Sequence, residues 1–257
     1  MIELEVNGAP ADAAPADVRL EPAELDRLVA AGRAAVPERS DSYQDRVATA
    51  RAALAWAHET FGERVTVASS MGDEVLVHLA GESAAGIEVF FLDTGYHFDE
   101  TIETRDAFEV LAPVKLITIT PRLTVAEQDA EYGPKLHDRD PDACCAMRKV
   151  EPMERALSAR SAWVTGMRRV DAPTRTDIEI IGIDAKRGKI KINPIAAWTD
   201  EDVARFTKEN YVYENPLREL GYASIGCAPC TRAVKPGEDP RAGRWAGRAK
   251  TECGLHT

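Results

Sequence analysis

A chain of 257 residues, 44% hydrophobic and 6% aromatic, is long enough to bury an ordinary core, and one large domain fits it as well as two. A net charge of -11 argues against nucleic acid as a partner. No apolar run approaches the about eighteen residues that a membrane-spanning helix needs, so no membrane association is expected.

The N-terminal stretch shows neither a basic leader nor an apolar signal segment, which places the expected site of action in the cytoplasm. In that setting five cysteines, an odd number, favour metal or thiol chemistry over a disulfide framework. They read as the adjacent pair Cys144-Cys145, then Cys227-x-x-Cys230, then Cys253 alone, which suggests four ligands and one free thiol. Charge is unevenly spread. Residues 1–45 carry ten acidic and four basic side chains, whereas residues 231–257 carry six basic and three acidic ones. A net positive tail around Cys253 favours its thiolate and draws an anionic substrate, although a merely solvated basic tail has the same composition.

In chain order, residues 8–18 are rich in Ala, Pro and Asp and read as a loose leader. Val47, Ala50, Leu54, Ala57 and Phe61 recur at helical spacing behind Ser42, a cap residue. The strand "RVTVAS" then runs through Ser69-Ser70-Met71-Gly72-Asp73 into the helical pattern "EVLVHLA". Strand "IEVFFLDT", a helix near 98–110, strand "VKLITIT", a helix around 143–160 and strand "SAWVTGM" continue the alternation. Such alternation predicts an α/β fold, a parallel-rich twisted sheet with helices on both faces. The segment "DIEIIGIDAKRGKIKINPI" carries two alternating runs around Lys186-Arg187-Gly188 and predicts a hairpin or a pair of edge strands. "TDEDVARFTKEN" opens on a Thr-x-x-Asp cap and predicts a helix. The expected organisation is a leader and helix over 1–40, one domain over 41–234 and a C-terminal tail over 235–257.

Ligands of open parallel sheets sit beyond the C-terminal strand ends, where Ser69–Glu74, Asp93-Thr94-Gly95 and Gly166–Arg169 fall. Ser69, Ser70 and Gly72 offer hydroxyls and backbone N–H groups to a phosphate or sulfate, or form an ordinary serine-capped turn. The loop is not of the Walker A type, because no Gly-Lys-Ser/Thr follows. Asp93 and Thr94 suit a nucleobase or ribose edge, or a helix cap. For the four cysteines, adjacency of Cys144 and Cys145 is awkward for tetrahedral zinc and easier for an iron–sulfur cluster with one thiolate per iron. Unrelated buried cysteines stay open. Cys253 reads as an incidental residue, a resolving thiol or a nucleophile, with His256 near it and with Gly237, Gly243, Gly247 and Gly254 giving the tail freedom to swing.

Five ordered segments, "CCAMRKVEP", "TGMRRVDAPTR", "KINPIAAWTDEDV", "NPLRELGYASIGCAPCT" and "KTECGLH", together resemble the assimilatory adenylyl-sulfate reductases, within the phosphoadenylyl-sulfate/adenylyl-sulfate reductase family. The likeness runs from about Arg64 to the C-terminus. It implies a single domain of the adenine nucleotide alpha hydrolase-like kind, with residues 41–234 binding adenylyl sulfate and an iron–sulfur cluster and residues 235–257 serving as a mobile catalytic tail. The implied activity is reduction of adenosine 5'-phosphosulfate to sulfite and AMP in sulfate assimilation and cysteine biosynthesis. The implied nucleophile is Cys253, which becomes a Cys-S-sulfonate that thioredoxin or a glutaredoxin-like reductant resolves. Cys144, Cys145, Cys227 and Cys230 are the implied ligands of a [4Fe-4S] cluster.

Physical chemistry agrees with those assignments, since phosphosulfate sulfur is electrophilic and a thiolate attacks it without a metal-bound water. Arg168, Arg169, Arg241, Arg244, Arg248 and His256 are candidates to stabilise charge on the leaving and sulfonyl oxygens. Lys149, four positions after Cys145, is expected near cluster and substrate alike. Two departures stand out: "SSMGDE" replaces an SGGxDS-like loop, which argues against ATP cleavage, and the tail has the single tryptophan Trp245. His137 has no counterpart and reads as solvent-exposed. Two alternatives are carried forward: the same chemistry on 3'-phosphoadenylyl sulfate, and a non-catalytic adenylate-binding protein in which the cysteines hold zinc. Self-association is left open.

Overall fold

The computed structural model describes residues 17–72, 74–247, 250, 254 and 255. Helix α1 (Pro22–Ala35) places Pro22 in its first turn, where the missing N–H has no helical partner to lose. Helix α2 (Tyr43–Phe61) starts as expected at Ser42, whose hydroxyl oxygen accepts the Asp45 N–H at 3.1 Å. The alternation then runs β1 (Val65–Ser69), α3 (Glu74–Ser83), β2 (Glu88–Leu92), α4 (Asp99–Leu111) and β3 (Lys115–Ile119). Short helices α5 (Val125–Tyr132), α6 (Leu136–Arg139) and α7 (Pro141–Cys145) follow.

The single helix expected around 143–160 is broken. A π-helical turn, Ala146–Val150, separates α7 from α8 (Glu151–Leu157). Pro152 explains the break, because it cannot donate to the carbonyl four residues back and its ring crowds that carbonyl, so the register widens for one turn. Strand β4 (Ala162–Val164) comes next, and the hairpin forms as β5 (Ile181–Asp184) and β6 (Lys189–Ile192). Helix α9 (Asp200–Asn210) begins with the expected capping box between Thr199 and Asp202.

The strands form one sheet in the order β3-β2-β1-β4-β6-β5, parallel throughout except for the edge pairing of β5 with β6. Period-two alternation divides the side chains between two faces. Val67, Val89, Phe91, Ala162, Val164, Ile190 and Ile192 enter the larger core with residues of α1, α2, α3 and α9. Phe90 and Trp163 point the other way and pack with Met153 and Leu157 of α8. Helices therefore cover both faces, as the alternation requires. Val18, at the end of the segment expected to be loose, is held: its N–H donates to the Ser158 carbonyl at 2.7 Å.

The order fixes where a ligand can enter. From β1 the chain moves outward to β2 and β3, then returns to lay β4 on the opposite side of β1. The loops after β1 and β4 diverge at this reversal and leave a crevice at the C-terminal strand ends.

Candidate active site

That crevice is a cleft of about 620 Å³, within the range of small-molecule sites. Ser69, Ser70 and Gly72 line it from the end of β1, Thr94 from β2, and Gly166 and Arg168 from β4. The β1 turn is built around Met71, a non-glycine residue with φ 53° whose side chain is fully buried. Left-handed backbone at methionine is costly, and it persists because neighbours over-determine it. The Ser69 hydroxyl accepts the Met71 N–H at 3.1 Å, and the Asn215 amide donates to the Met71 carbonyl at 3.2 Å. Arg218 closes the clamp, donating to the Gly72 carbonyl at 2.5 Å and to Glu74 Oε2 at 2.9 Å.

Beside the cleft lies a smaller pocket lined by all four paired cysteines, Cys144, Cys145, Cys227 and Cys230, with Tyr96, His137, Arg148, Lys149 and Trp245. The first three cysteines are buried and Cys230 is half-buried. Burial first, and then the neighbouring thiols of Cys145, Cys227 and Cys230, push the Cys144 thiol up to about 12. The Thr94 hydroxyl sits 3.3 Å from Cys227 Sγ, so the end of β2 touches the cysteine loop directly. Among the described residues no three ligand-type side chains converge closely enough for a single metal ion.

Arg148, only 3% exposed, ties this pocket to the sheet. Its guanidinium donates to the Thr94 carbonyl and, at 3.0 Å, to Gln128 Oε1, and it lies 5.3 Å from the centre of the Tyr96 ring. Its neighbour Lys149 rides the π-helical turn and lines both the cysteine pocket and the cleft. Trp245, 2% exposed, does the same from the tail, and its backbone N–H donates to the Cys230 carbonyl at 2.9 Å.

The remaining candidates divide. Arg241 and Arg244 line the cleft, and Arg244 donates to the Ile225 carbonyl at 3.2 Å. Arg168 lines it too, but its charge is shared with Asp171 at 2.9 Å and Asp200 at 2.8 Å. Arg169 does not line the cleft. It pairs with Glu38 at 2.5 Å and donates to the Ile178 carbonyl at 2.9 Å, which anchors the chain between α1 and α2. Asp93 also stays outside the lining and accepts the Gly95 N–H at 2.9 Å, a local turn contact.

His137 corrects the expectation of an exposed histidine: its side chain is 12% exposed and meets the Tyr96 ring edge-on at 5.2 Å beside the cysteines. Arg248, Cys253 and His256 lie outside the described residues, and Leu255, two positions beyond Cys253 in the sequence, lines the cleft.

Among the lining residues that escaped the sequence reading are His97, Thr165 and Arg218. His97 bonds through Nε2 to the Leu92 carbonyl at 2.9 Å, and burial lowers its pKa below the ordinary histidine value. A carbonyl only accepts, so Nε2 carries the proton and Nδ1 is left as an acceptor. Thr165 and Arg218 fall inside the quoted segments "TGMRRVDAPTR" and "NPLRELGYASIGCAPCT", but nothing local singles them out from their neighbours.

A cleft with polar and cationic side chains at the reversal of a parallel sheet, flanked by a thiol-lined pocket, is the arrangement of an α/β enzyme acting on a small ligand. Residues 64–233 match the phosphoadenosine phosphosulfate reductase domain, so the chain belongs to that family of oxidoreductases. It is 62% identical to an adenosine 5'-phosphosulfate reductase of Streptomyces coelicolor, over 81% of this chain and 89% of the relative. The adenosine 5'-phosphosulfate reductase of Mycolicibacterium smegmatis is 55% identical over the same shares. Among solved structures, the phosphoadenylyl-sulfate reductase of Candida auris aligns with a TM-score of 0.65 at 24% identity, over 85% of this chain and all (100%) of that one. FMN adenylyltransferase of Candida glabrata aligns with a TM-score of 0.53 at 15% identity, covering 90% of this chain and 82% of that one. These two show the fold alone: the sheet and helices of adenine nucleotide alpha hydrolase-like proteins.

Proposed function

We propose that the chain reduces adenosine 5'-phosphosulfate to sulfite and AMP, as a cytoplasmic enzyme of sulfate assimilation. The observation that carries this reading is the placement of Lys149, which lines the nucleotide-sized cleft and the four-cysteine pocket together. The relatives named for this substrate, at half to two-thirds identity, favour it over the 3'-phosphorylated nucleotide.

The adenylate end of the substrate takes the β1 turn, whose hydroxyls and N–H groups suit phosphate oxygens. The sulfate end lies toward Lys149, Arg168, Arg241 and Arg244, which offset charge on the bridging and sulfonyl oxygens. The Cys253 thiolate attacks sulfur, and the bond from sulfur to the bridging oxygen breaks. AMP departs with that electron pair, and the enzyme holds a Cys253 S-sulfonate. A dithiol protein of the thioredoxin or glutaredoxin type then attacks Cys253 Sγ. Sulfite leaves with the electron pair of the S–S bond, and the second thiol resolves the mixed disulfide, which returns the Cys253 thiolate and oxidises the partner.

The cysteine quartet suits a [4Fe-4S] cluster by its chemistry. Four soft ligands share one pocket, three of them buried, and burial raises the Cys144 thiol, which resists ionisation until a cation compensates. A bound cluster would fix the 226–231 loop against α7 and shape the field at Lys149.

The decisive test is to mix stoichiometric adenosine 5'-phosphosulfate with wild-type and Cys253→Ser protein and weigh both intact. The wild type should gain one sulfonate, mapped to Cys253, and release AMP; the variant should bind nucleotide and gain nothing. An adduct on any other cysteine, or turnover by the variant, removes the assignment. Comparing turnover on the 3'-phosphorylated nucleotide decides the substrate.

A further inference from the structure

Leu255 lies two positions past Cys253 in the sequence, and it is not loose. Its side chain packs on Phe90, Met153, Leu157 and Trp163, the small core on the α8 face of the sheet. Its carbonyl accepts a hydrogen bond from Arg187 Nη2 at 3.3 Å. Arg187 stands in the β5–β6 turn with a side chain 4% exposed, and it does not line the cleft.

Arg187 is rigidly aimed. Nη1 meets Asp184 Oδ2 at 2.9 Å, and Nη2 meets Glu154 Oε1 at 2.7 Å, which leaves the other hydrogen of Nη2 for Leu255. The same Asp184 oxygen accepts from Trp163 Nε1 at 3.1 Å and so fixes the indole against which Leu255 packs. Donor and apolar seat are thus organised by one carboxylate, on the wall of the cleft that Phe90, Met153 and Trp163 line.

We propose that Arg187 and the Phe90–Met153–Trp163 seat form a latch that sets the register of the tail in the cleft by gripping Leu255. Arg187 is a positioning residue. An anchor two residues from the nucleophile confines it to about 7 Å of chain reach, the kind of restriction that proximity catalysis requires. The grip is one apolar side chain and one hydrogen bond. It can hold the tail for sulfonate formation and release it for the dithiol step. As a device for Cys253 the latch rests on the proposed function, but its existence does not.

The test uses full-length, cluster-loaded protein with Leu255→Ser, Arg187→Met and Arg187→Lys. The first readout is the rate at which a bulky maleimide alkylates Cys253, followed by peptide mapping. Leu255→Ser and Arg187→Met should both speed it by about tenfold, and Arg187→Lys, which keeps a donor, should fall between them and the wild type. The second readout is single-turnover sulfonate formation, which should slow by about tenfold in the same order, while reduction of pre-sulfonated enzyme by dithiol does not slow. Leu255→Ser leaves the Asp184–Arg187–Glu154 group intact and should keep the wild-type unfolding midpoint, so a folding defect cannot produce its effect. Wild-type alkylation rates in Leu255→Ser, or equal slowing of both half-reactions, would overturn the latch. Faster alkylation in a protein whose wild type never forms a sulfonate would keep the latch and remove the proposed function.

Discussion

The guanidinium of Arg218 meets the carboxylate of Glu74 at 2.9 Å across 144 residues of sequence, and Glu74 is only 3% exposed. The Asn215 N–H adds a second donor to Glu74 at 3.0 Å. One buried carboxylate therefore holds the 215–218 segment against the turn that begins the cleft. Removing it deprives Arg218 of this carboxylate and leaves the Met71 backbone less constrained. Glu74→Ala should cost about 3 kcal/mol in urea unfolding, near the lower end for a broken buried pair because Arg218 is partly solvated, and should weaken AMP binding in a calorimetric titration. Unchanged AMP affinity would separate the clamp from the cleft.

Gly243 lies where the tail runs antiparallel to the cysteine loop, and its carbonyl accepts the Arg232 N–H at 3.0 Å. A methyl group there would overlap the Arg232 carbonyl oxygen, a backbone atom that cannot swing aside. Gly243→Ala should cost about 1–3 kcal/mol through this overlap. It should also lift Trp245 from the pocket, seen as a red shift of tryptophan emission and faster proteolysis between 232 and 247.

The cysteine quartet gives a prediction that colour alone can check. Protein purified without oxygen should be brown, absorb broadly and carry about four irons per chain, and Cys230→Ser or oxidative bleaching should remove iron and lower the thermal midpoint. Colourless wild-type protein holding one zinc would refute the cluster.

Lys191 supplies a pH effect. Burial lowers its pKa from 10.5 to about 8, although Asp184 opposes the shift. Its ammonium also lies 4.8 Å from the centre of the Trp163 ring. Below pH 8 the lysine is charged in both states and the folded state bears the desolvation cost. Between pH 8 and 10.5 the unfolded chain binds the extra proton, so this group makes stability rise with pH across that window. Lys191→Met should stabilise the protein by about 1–2 kcal/mol at pH 7, after discounting for solvent and for the Trp163 face, and should flatten that rise in a pH series of unfolding midpoints.

Much of this was legible in the residues, and the failures have a common origin. The Ser42 and Thr199 caps, the alternating strands and the hairpin are decided within a few residues, so sequence periodicity finds them. The break at Ala146–Val150 was missed although Pro152 was in view, because a proline announces a defect without saying whether the helix ends or widens. Arg169 looked like an anion binder beside Arg168, yet its fate depends on Glu38, 131 residues away. His137 looked exposed for want of a local apolar pattern, and Tyr96 covers it from another element.

Composition and periodicity determined by themselves the α/β class and the loops that carry polar groups, since each follows from local propensity or elementary donor chemistry. Only the tertiary structure decided that Asn215 and Arg218 hold the β1 turn and that Arg187 meets the tail at Leu255. Those contacts join residues far apart in the chain, and strand order, which brings them together, is set by burial of whole faces rather than by any short stretch of residues.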